Sequence, residues 1–544
     1  MKRLKELSRG KPLLVGYLTV ILVLILSMSN PTSAQQQPKL GGTLVVGLGG
    51  NPPHFNLGPS ISFLVYQTAS NIYSFLIRYD KEMKWQPDLA ESWQRSSDGL
   101  TYTFRLRKDA LWHDGKPVTS EDVKFTFEQI HARYGGNTGT WQAATVQTPD
   151  ENTVVFKFPK YDSLFEAIVG NIFSPIYPKH LWKDSVVSAD AMLRSPYARA
   201  PVGSGPFKFK AYVPGSHIEL TKNERYFKRD MPYVDRLLFR ILPDPQSRLV
   251  ALETGEIDLM PRDINLNEIA RLKTLPNLRI DVDDTVSGKH YVIFVNVRKG
   301  PLAKRTVRQA ISHALDRNRI AKLTLFGFGS PSWNPLLNTK APHARSVVNA
   351  NIPTYPHSYE KARELLDQAG YPLGVDGKRF RVRLLVETTL TANVPMAELV
   401  KNDLKQVGIE ADIQKVDTPT AQDLVYLRWD FDLYLLRITT FNAPVLQLNQ
   451  RVTTRYIRKG FALNAVGYSN PEVDALYARA MNEPDPKRRT DLLFKIQELV
   501  ATHLPMIPIV EEPDVRGYTV DLQGMPQAAQ GDEAYDTVWR ISTR

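Results

Sequence analysis

Two pairs of residues in this sequence have side chains that could do acid–base chemistry. His113 stands beside Asp114, which raises the question of a reactive site, and Asp430 stands two positions before Asp432. Two carboxylates can hydrolyse a glycoside when they flank its bond. Each pair also has a structural interpretation, because Asp-Gly forms turns and residues two apart share one face of a strand. We favour the structural interpretation for both pairs.

Ser358 and Lys361 form a third candidate for chemistry. Their S-x-x-K spacing matches the penicillin-binding serine enzymes, but the companion motifs S-D-N and K-T-G are absent from the sequence. Ser358 also precedes the helical stretch "ARELLDQAG", where a serine serves as an N-cap. We therefore expect Ser358 to cap a helix.

The remaining signatures of catalysis or cofactor binding are missing from the sequence. No two of the ten histidines lie three or four positions apart, and there is no cysteine. Nucleophile-elbow, phosphate-loop and dinucleotide-binding glycine patterns are also absent. We therefore expect no metal and no cofactor, and this favours a binding protein over an enzyme.

The elements around His113 explain it without chemistry. In "TYTFRL", Tyr102, Phe104 and Leu106 alternate with polar residues, which predicts a half-buried strand. The triplet at 113–115 then predicts a turn, and Thr119 is placed three residues before Asp122 to cap the following helix. The stretch is interpreted as strand, turn and capped helix.

Elsewhere strands alternate with helices, as in an α/β protein. Residues 233–260 predict the order strand, helix, strand, and so do "RVRLLVETT", "PMAELVKNDLKQVG" and "IEADIQKV". The chain has 544 residues, and a single core stops growing at about 250–300 residues. We therefore expect two or three lobes.

Charge and the N-terminus bear on location and partners. The net charge of +12 comes from basic residues mixed with acidic ones, without the basic stripe of a nucleic-acid-binding surface. Basic residues, an apolar run and the small residues at 32–34 predict a signal peptide over 1–34, with an uncleaved anchor as the alternative. The absence of cysteine excludes lipid attachment, so we expect a periplasmic protein.

Several motifs occur together and in order along nearly the whole chain. They are "LAESW", "DGLTYTFRLRKDALWHDGKPVTSEDVKF", "PVGSGPFKF", "VRQAISHALDR", "YEKARELLDQAGY" and "GYSNPEVDAL". Together they resemble the extracellular solute-binding proteins of family 5, the peptide/nickel class that serves ABC importers. The resemblance implies a two-lobe α/β clamp of the periplasmic type II class with an extra subdomain, closing by hinge motion.

The same resemblance implies a division of the chain. Lobe I would comprise 35–74, 201–288 and 506–544, the extra subdomain 75–200, and lobe II 289–505. The hinge would lie near Tyr291 and Pro505. The expected function is the capture of peptides or similar small oligomers between the lobes, for delivery to permease subunits, by a monomer that is not an enzyme and binds no nucleic acid.

The expected ligand contacts lie mainly in "LLRITTFNAP". Peptide binders of this class carry an Asp about four residues before a Pro, where this sequence has Thr440. A hydroxyl does not neutralise an ammonium group, so an oligosaccharide or opine-like ligand is the first alternative and an exported hydrolase the second. The candidate contacts are Arg437, Thr439, Thr440, Asn442, Trp333 and Tyr66. A salt bridge for Arg437 and core packing for the two aromatic residues remain the competing interpretations.

Overall fold

The fold was determined from a computed structural model of the chain. The structure describes residues 38–58, 62–80, 84–134, 138–170, 174–283, 288–439, 450–460, 463–526 and 534–541. The signal-peptide prediction falls outside these residues. All elements below belong to one compact unit, Leu40–Arg544. Within the residues that the structure describes, no helix is long and apolar enough to cross a membrane.

Strands are numbered in chain order. They are β1 (Thr43–Leu48), β2 (Ile77–Tyr79), β3 (Trp85–Pro87), β4 (Ala90–Arg95), β5 (Thr101–Leu106), β6 (Thr145–Asp150), β7 (Thr153–Lys157), β8 (Phe207–Val213), β9 (His217–Lys222), β10 (Arg236–Ile241), β11 (Leu259–Met260), β12 (Leu278–Asp283), β13 (Lys289–Val295), β14 (Ser330–Pro331), β15 (Phe380–Glu387), β16 (Ile409–Val416), β17 (Leu433–Thr439), β18 (Met506–Glu512), β19 (Asp514–Thr519), β20 (Leu522–Gln523) and β21 (Trp539–Arg540).

Helical segments connect these strands. The α-helices are Phe63–Ala69, Ser120–Phe125, Ala132–Tyr134, Thr138–Ala143, Ser163–Ile168, Lys179–Trp182, Ala189–Arg194, Pro245–Glu253, Ile269–Leu272, Arg305–Ala314, Arg317–Thr324, Pro342–Arg345, Tyr359–Gln368, Asn393–Gln406, Thr418–Gln422, Pro471–Met481 and Pro486–His503. The part of the chain that the structure describes also contains the π-helical segments Thr126–His131 and Asp423–Arg428 and the short 3₁₀ turns Pro196–Ala198, Leu266–Glu268, Pro301–Ala303 and Thr454–Tyr456.

Lobe I is built on a mixed sheet with the order β12-β19-β11-β1-β10-β9-β8. Strand β1 runs parallel to both β10 and β11, and the helix Pro245–Glu253 connects those two strands. The strand, helix, strand order predicted for residues 233–260 is therefore confirmed. Leu44, Val46 and Leu48 enter one core while Val45 packs against a second, so helices and loops cover both faces of the sheet.

Lobe II is built on a sheet with the order β14-β18-β13-β17-β15-β16. Its central strand β13 is antiparallel to β17 and β18. Tyr291 and Ile293 of β13 enter the core on one face, and Val292 and Phe294 enter the core on the other. A strand buried on both faces reads as a continuous apolar run, as "YVIFV" does.

The extra subdomain contains the sheet β4-β5-β7-β6. Tyr102, Phe104 and Leu106 of β5 are buried, so the predicted half-buried strand is confirmed. The carboxylate of Asp122 accepts hydrogen bonds from the backbone nitrogen and the hydroxyl of Thr119, at 2.9 and 3.1 Å. Thr119 and Asp122 thus form the capping box, and this stretch serves as scaffold.

The chain crosses between the two large sheets twice. One crossing lies between Asp283, which ends β12, and Lys289, which begins β13; the other is Pro513, between β18 and β19. Strand β18 pairs with β13 over its length and places Ile507 in the lobe II core. The expected boundary and hinge at 505–506 are therefore too early, and the first crossing precedes Tyr291.

Candidate functional site

His113 and Asp114 are held by the backbone around them. The His113 imidazole accepts a hydrogen bond from the Gly203 nitrogen at 3.2 Å and donates to the Gly205 carbonyl at 3.0 Å. Burial lowers the pKa of His113 to about 4, and the Asp114 carboxylate lies 2.6 Å from the His180 imidazole. Both side chains fasten the turn to its neighbours, which agrees with the structural interpretation.

The carboxylates of Asp430 and Asp432 form salt bridges with basic side chains. Arg383 contacts Asp430 at 2.5 Å, and Lys299 lies 3.3 Å from Asp432. The hydrogen bond from Arg383 is the main cause that lowers the pKa of Asp430. A glycosidase acid needs a raised pKa, so this environment does not suit Asp430 to that role.

Ser358 caps the helix Tyr359–Gln368, as predicted. Its hydroxyl accepts a hydrogen bond from the Lys361 nitrogen at 3.0 Å, while the Lys361 ammonium pairs with Glu364 at 2.8 Å. The side chains of the S-x-x-K pattern therefore point to separate local partners.

Ser358→Ala is expected to lower the free energy of unfolding by about 1 kcal/mol, because an orphan helix N–H loses its acceptor. Urea denaturation measures this loss, and Ser358→Thr serves as the control that keeps the cap. Loss of a covalent reaction with a β-lactam in Ser358→Ala would instead contradict the capping role.

Arg437 lies at the junction of the lobes. It stands opposite Tyr291 in the sheet, and its guanidinium group is 3.1 and 3.2 Å from the two carboxylate oxygens of Glu512. Burial lowers the pKa of Arg437, but Glu512 and Tyr291 outweigh it and hold the pKa above its ordinary value. Glu512 is the last residue before the Pro513 crossing, so this salt bridge lies beside the point where the chain passes between the two lobes.

Charges from lobe I reach the same place. Asp263, which follows β11, also contributes to raising the pKa of Arg437. Lys289 stands directly opposite Glu512 on the neighbouring strand. Its ammonium group is 2.5 Å from Asp514, the first residue of β19. The edge of lobe II that faces lobe I therefore carries paired charges beside both crossings.

Other predicted contacts are placed as follows. Thr439 ends β17 opposite Lys289, while Thr440 and Asn442 lie outside the described residues. Trp333 is partly buried, with the Arg317 guanidinium carbon 4.8 Å from its ring centre. Arg317 is itself buried, and burial lowers its pKa to about 9. Trp333 therefore packs on a buried cation within lobe II.

Tyr66 is buried in the core of lobe I. Only 4% of it is exposed, and its ring makes an edge contact with Phe63 at 6.1 Å between centres. Burial raises its pKa well above the ordinary value. Its burial agrees with the packing interpretation of Tyr66, and a ligand contact for Tyr66 stays a prediction.

Sequence reasoning missed two polar groups near β13. His290 is fully buried, and its Nε2 has no hydrogen-bond partner among the described residues; the same is true of Nη1 of the half-buried Arg451. Burial, and then the charge of Arg451, lower the pKa of His290 to about 3. Arg451 is the first residue of the basic stretch "RVTTRYIRK". This cluster of basic residues is the sequence feature that could have identified Arg451 as a candidate.

A cavity of about 630 Å³ lies between the subdomain and lobe II. Its volume falls within the range of about 300–1,000 Å³ that is common for small-molecule sites. Thr140, Lys160 and Leu164 line it from the subdomain, and Tyr456, Tyr477 and Met481 line it from lobe II. The cavity joins segments that are far apart in the sequence.

Comparison with known proteins agrees with this architecture. The oligopeptide-binding protein AppA of Bacillus subtilis is 29% identical over 520 residues, covering 90% of this chain and 91% of that protein. Heme-binding protein A of Haemophilus influenzae is 28% identical over 549 residues, covering 94% of each chain. The periplasmic binding protein DppA of Helicobacter pylori, solved with the peptide STSA, is 25% identical with a TM-score of 0.77, covering 94% of this chain and 100% of that one.

These structural neighbours are two-lobe periplasmic binding proteins, and this chain has the same fold. Residues 84–454 also match the family model described as bacterial extracellular solute-binding proteins, family 5 Middle. The match covers more than half of the chain and includes the subdomain, β13, β15 and β17. The protein is therefore a member of the bacterial extracellular solute-binding proteins, family 5.

Proposed function

We propose that this protein is the substrate-binding component of an ABC importer. It captures a peptide or a similar small oligomeric solute between lobes I and II and delivers it to the membrane permease. The observation that carries the proposal is the pair of crossings, 283–289 and 512–514, which join two α/β lobes. Lobes connected in this way close around a ligand by hinge motion.

The relatives support a peptide as the ligand. AppA is named as an oligopeptide-binding protein, and DppA was solved with a bound peptide. Heme-binding protein A, which is similar over nearly its whole length, supports a fold that accepts ligands of different chemistry. A peptide is therefore our first proposal for the solute.

We place the ligand contacts at the edge of lobe II. Thr439 ends a strand there, and Thr440 and Asn442 follow it in the sequence. Arg437 and Trp333 complete the proposed set, with Arg437 acting through the part of its guanidinium that Glu512 leaves free. The partial exposure of both side chains supports this role.

A non-peptide solute in the same role is the second candidate. Thr440 stands where peptide binders of this resemblance carry a carboxylate for the ligand's ammonium group. Arg451 adds a cation with a buried nitrogen that has no acceptor among the described residues, and an unpaired buried charge is costly. Both features favour a ligand without a free ammonium group and with an anionic one, as in an opine-like compound.

Location, partners and domain limits form the rest of the proposal. The N-terminal sequence supports export to the periplasm with cleavage after residue 34. The protein would act as a monomer without catalysis and without nucleic acid. With the corrected crossing, lobe I comprises 35–74, 201–288 and 513–544, the subdomain 75–200, and lobe II 289–512.

Ligand binding is expected to stabilise the folded protein by about 2.7 kcal/mol at a ligand concentration of 100 times Kd. A thermal-shift screen of peptides, opines and oligosaccharides, with mass spectrometry of co-purified molecules, measures this. The substrates should be recovered unchanged. A protein that shows no shift with any of these compounds and carries no ligand contradicts the proposal, and turnover of a bound glycoside supports a hydrolase instead.

A further inference from the structure

The cavity is lined by both the subdomain and lobe II, and these two parts of the molecule also contact each other beside it. The Arg489 guanidinium donates to the Tyr161 hydroxyl at 2.6 Å, and the Ser163 hydroxyl lies 3.9 Å from the Met481 sulfur. Met481 also lines the cavity. A ligand that fills the cavity therefore contacts both the subdomain and lobe II and stabilises the contact between them.

Three cations line this cavity, and one of them, Lys160, acts electrostatically on Asp162 in the same wall. Lys160, Arg455 and Arg458 line it, and both arginines lie over the ring of Tyr456, at 4.8 and 5.4 Å from its centre. None of the three forms an ion pair within the part of the chain that the structure describes. Among the described residues, Arg455 and Arg458 thus remain available to an anionic ligand.

The two carboxylates in the wall are engaged with the backbone. Asp162 accepts a hydrogen bond from the Leu164 nitrogen at 2.9 Å, and Asp474 accepts one from the Thr454 nitrogen at 2.8 Å. One oxygen of each carboxylate is therefore already bound to a backbone N–H. Hydrogen bonds of a guanidinium group to a carboxylate are stronger than neutral ones, so the free groups of this cavity favour an anion.

The cavity also adjoins the proposed ligand site along the chain. Gln450, which lines it, comes six positions after Pro444 in the sequence. We propose that the cavity is a subsite for the anionic end of an extended solute, such as the acidic terminus of a peptide. This inference rests on the proposed function, with the remainder of the solute lying between the lobes.

Two peptides that differ only in charge test the subsite. Ala-Ala-Ala-Glu-Glu is expected to bind about tenfold more tightly than Ala-Ala-Ala-Gln-Gln, as charge-assisted hydrogen bonds allow. Isothermal titration calorimetry on the full mature chain measures both Kd values. The ratio is expected to fall as salt is raised from 50 to 500 mM, because salt screens exposed charges.

Substitution of the arginines should remove this preference. In Arg455→Gln with Arg458→Gln, the ratio of the two Kd values is expected to fall to about one, while the Gln-Gln peptide binds as before. Lys459→Gln is the matched control, because Lys459 is exposed beside Arg458 but does not line the cavity. This control should keep the tenfold ratio.

Equal Kd values in the unsubstituted protein, a ratio that survives in the double variant, or binding of neither peptide each overturn the subsite. The last outcome does so because an accessible cavity lined by two arginines that form no ion pair with a described residue should at least bind the acidic peptide. Failure of the proposed function is a different result, since it appears as the absence of any ligand in the broad thermal-shift screen.

Discussion

Acidification from pH 7.5 to pH 5 is expected to lower the free energy of unfolding by about 4 kcal/mol through two histidines alone. His131 and His290 are fully buried. Burial is the main cause that lowers their pKa values, to about 4 and about 3. In the unfolded chain both return to the ordinary value of 6.5.

The direction of this change in the free energy of unfolding follows from the number of protons bound in the folded and unfolded states. Below pH 6.5 the unfolded chain binds protons that the folded chain does not, so the folded state loses stability as pH falls toward 4. Each histidine contributes about 2 kcal/mol at pH 5. Within the described ranges, the Nδ1 of His131 and the Nε2 of His290 lack a hydrogen-bond partner, so a protonated ring would bury an unsatisfied N–H.

Urea denaturation of the ligand-free protein at several pH values measures this loss. His131→Gln with His290→Asn is expected to flatten the dependence, because each amide can replace the ring nitrogen that faces a carbonyl of Pro175 or Gly288. His357→Gln, at an exposed position, is the control and should follow the unsubstituted protein. The same slope in all three proteins would contradict this origin of the acid sensitivity.

Arg437→Gln is expected to lower the free energy of unfolding by about 3 kcal/mol in the absence of any ligand. The substitution leaves the Glu512 carboxylate, which is only 13% exposed, without its cation. The figure lies at the low end for a buried pair, because a quarter of the Arg437 side chain is exposed. Denaturation at pH 7.5 measures the change.

Two further variants separate pairing from other effects. Arg437→Met together with Glu512→Met should recover part of the loss, because no unpaired charge remains. Arg381→Gln removes an exposed arginine that lies 3.1 Å from Glu410 and should cost less than about 1 kcal/mol. Unchanged stability with a large loss of ligand affinity in Arg437→Gln would instead assign Arg437 to recognition alone.

The interpretation of the His113 stretch as scaffold followed from local rules. Alternating apolar residues predict a strand face, and the Thr119 and Asp122 spacing predicts a capped helix; both depend on contacts within a few residues. The cap at Ser358 was predicted for the same reason. Such features are encoded in short segments, so the sequence alone was enough to place them.

Sheet membership was predicted less well, because it depends on partners far along the chain. "MIPIVEE" is an apolar run that either lobe could bury, and only its pairing with β13, more than 200 residues earlier, assigns it to lobe II. The second crossing therefore lies at Pro513, whereas the sequence had predicted it near Pro505. Periodicity reports that a segment is buried, but it does not report against which strand.

The α/β class, the family resemblance, the local caps and turns, and the absence of a thiol site all follow from the amino-acid sequence. The pairing of Arg437 with Glu512, 75 positions away, and the cavity that Lys160 shares with Arg455 and Arg458 are visible only in the folded chain. The reason is the distance along the sequence over which each kind of interaction acts. Propensity and capping act between neighbours in the sequence, whereas ion pairs, cavities and buried histidines arise from segments that only folding brings together.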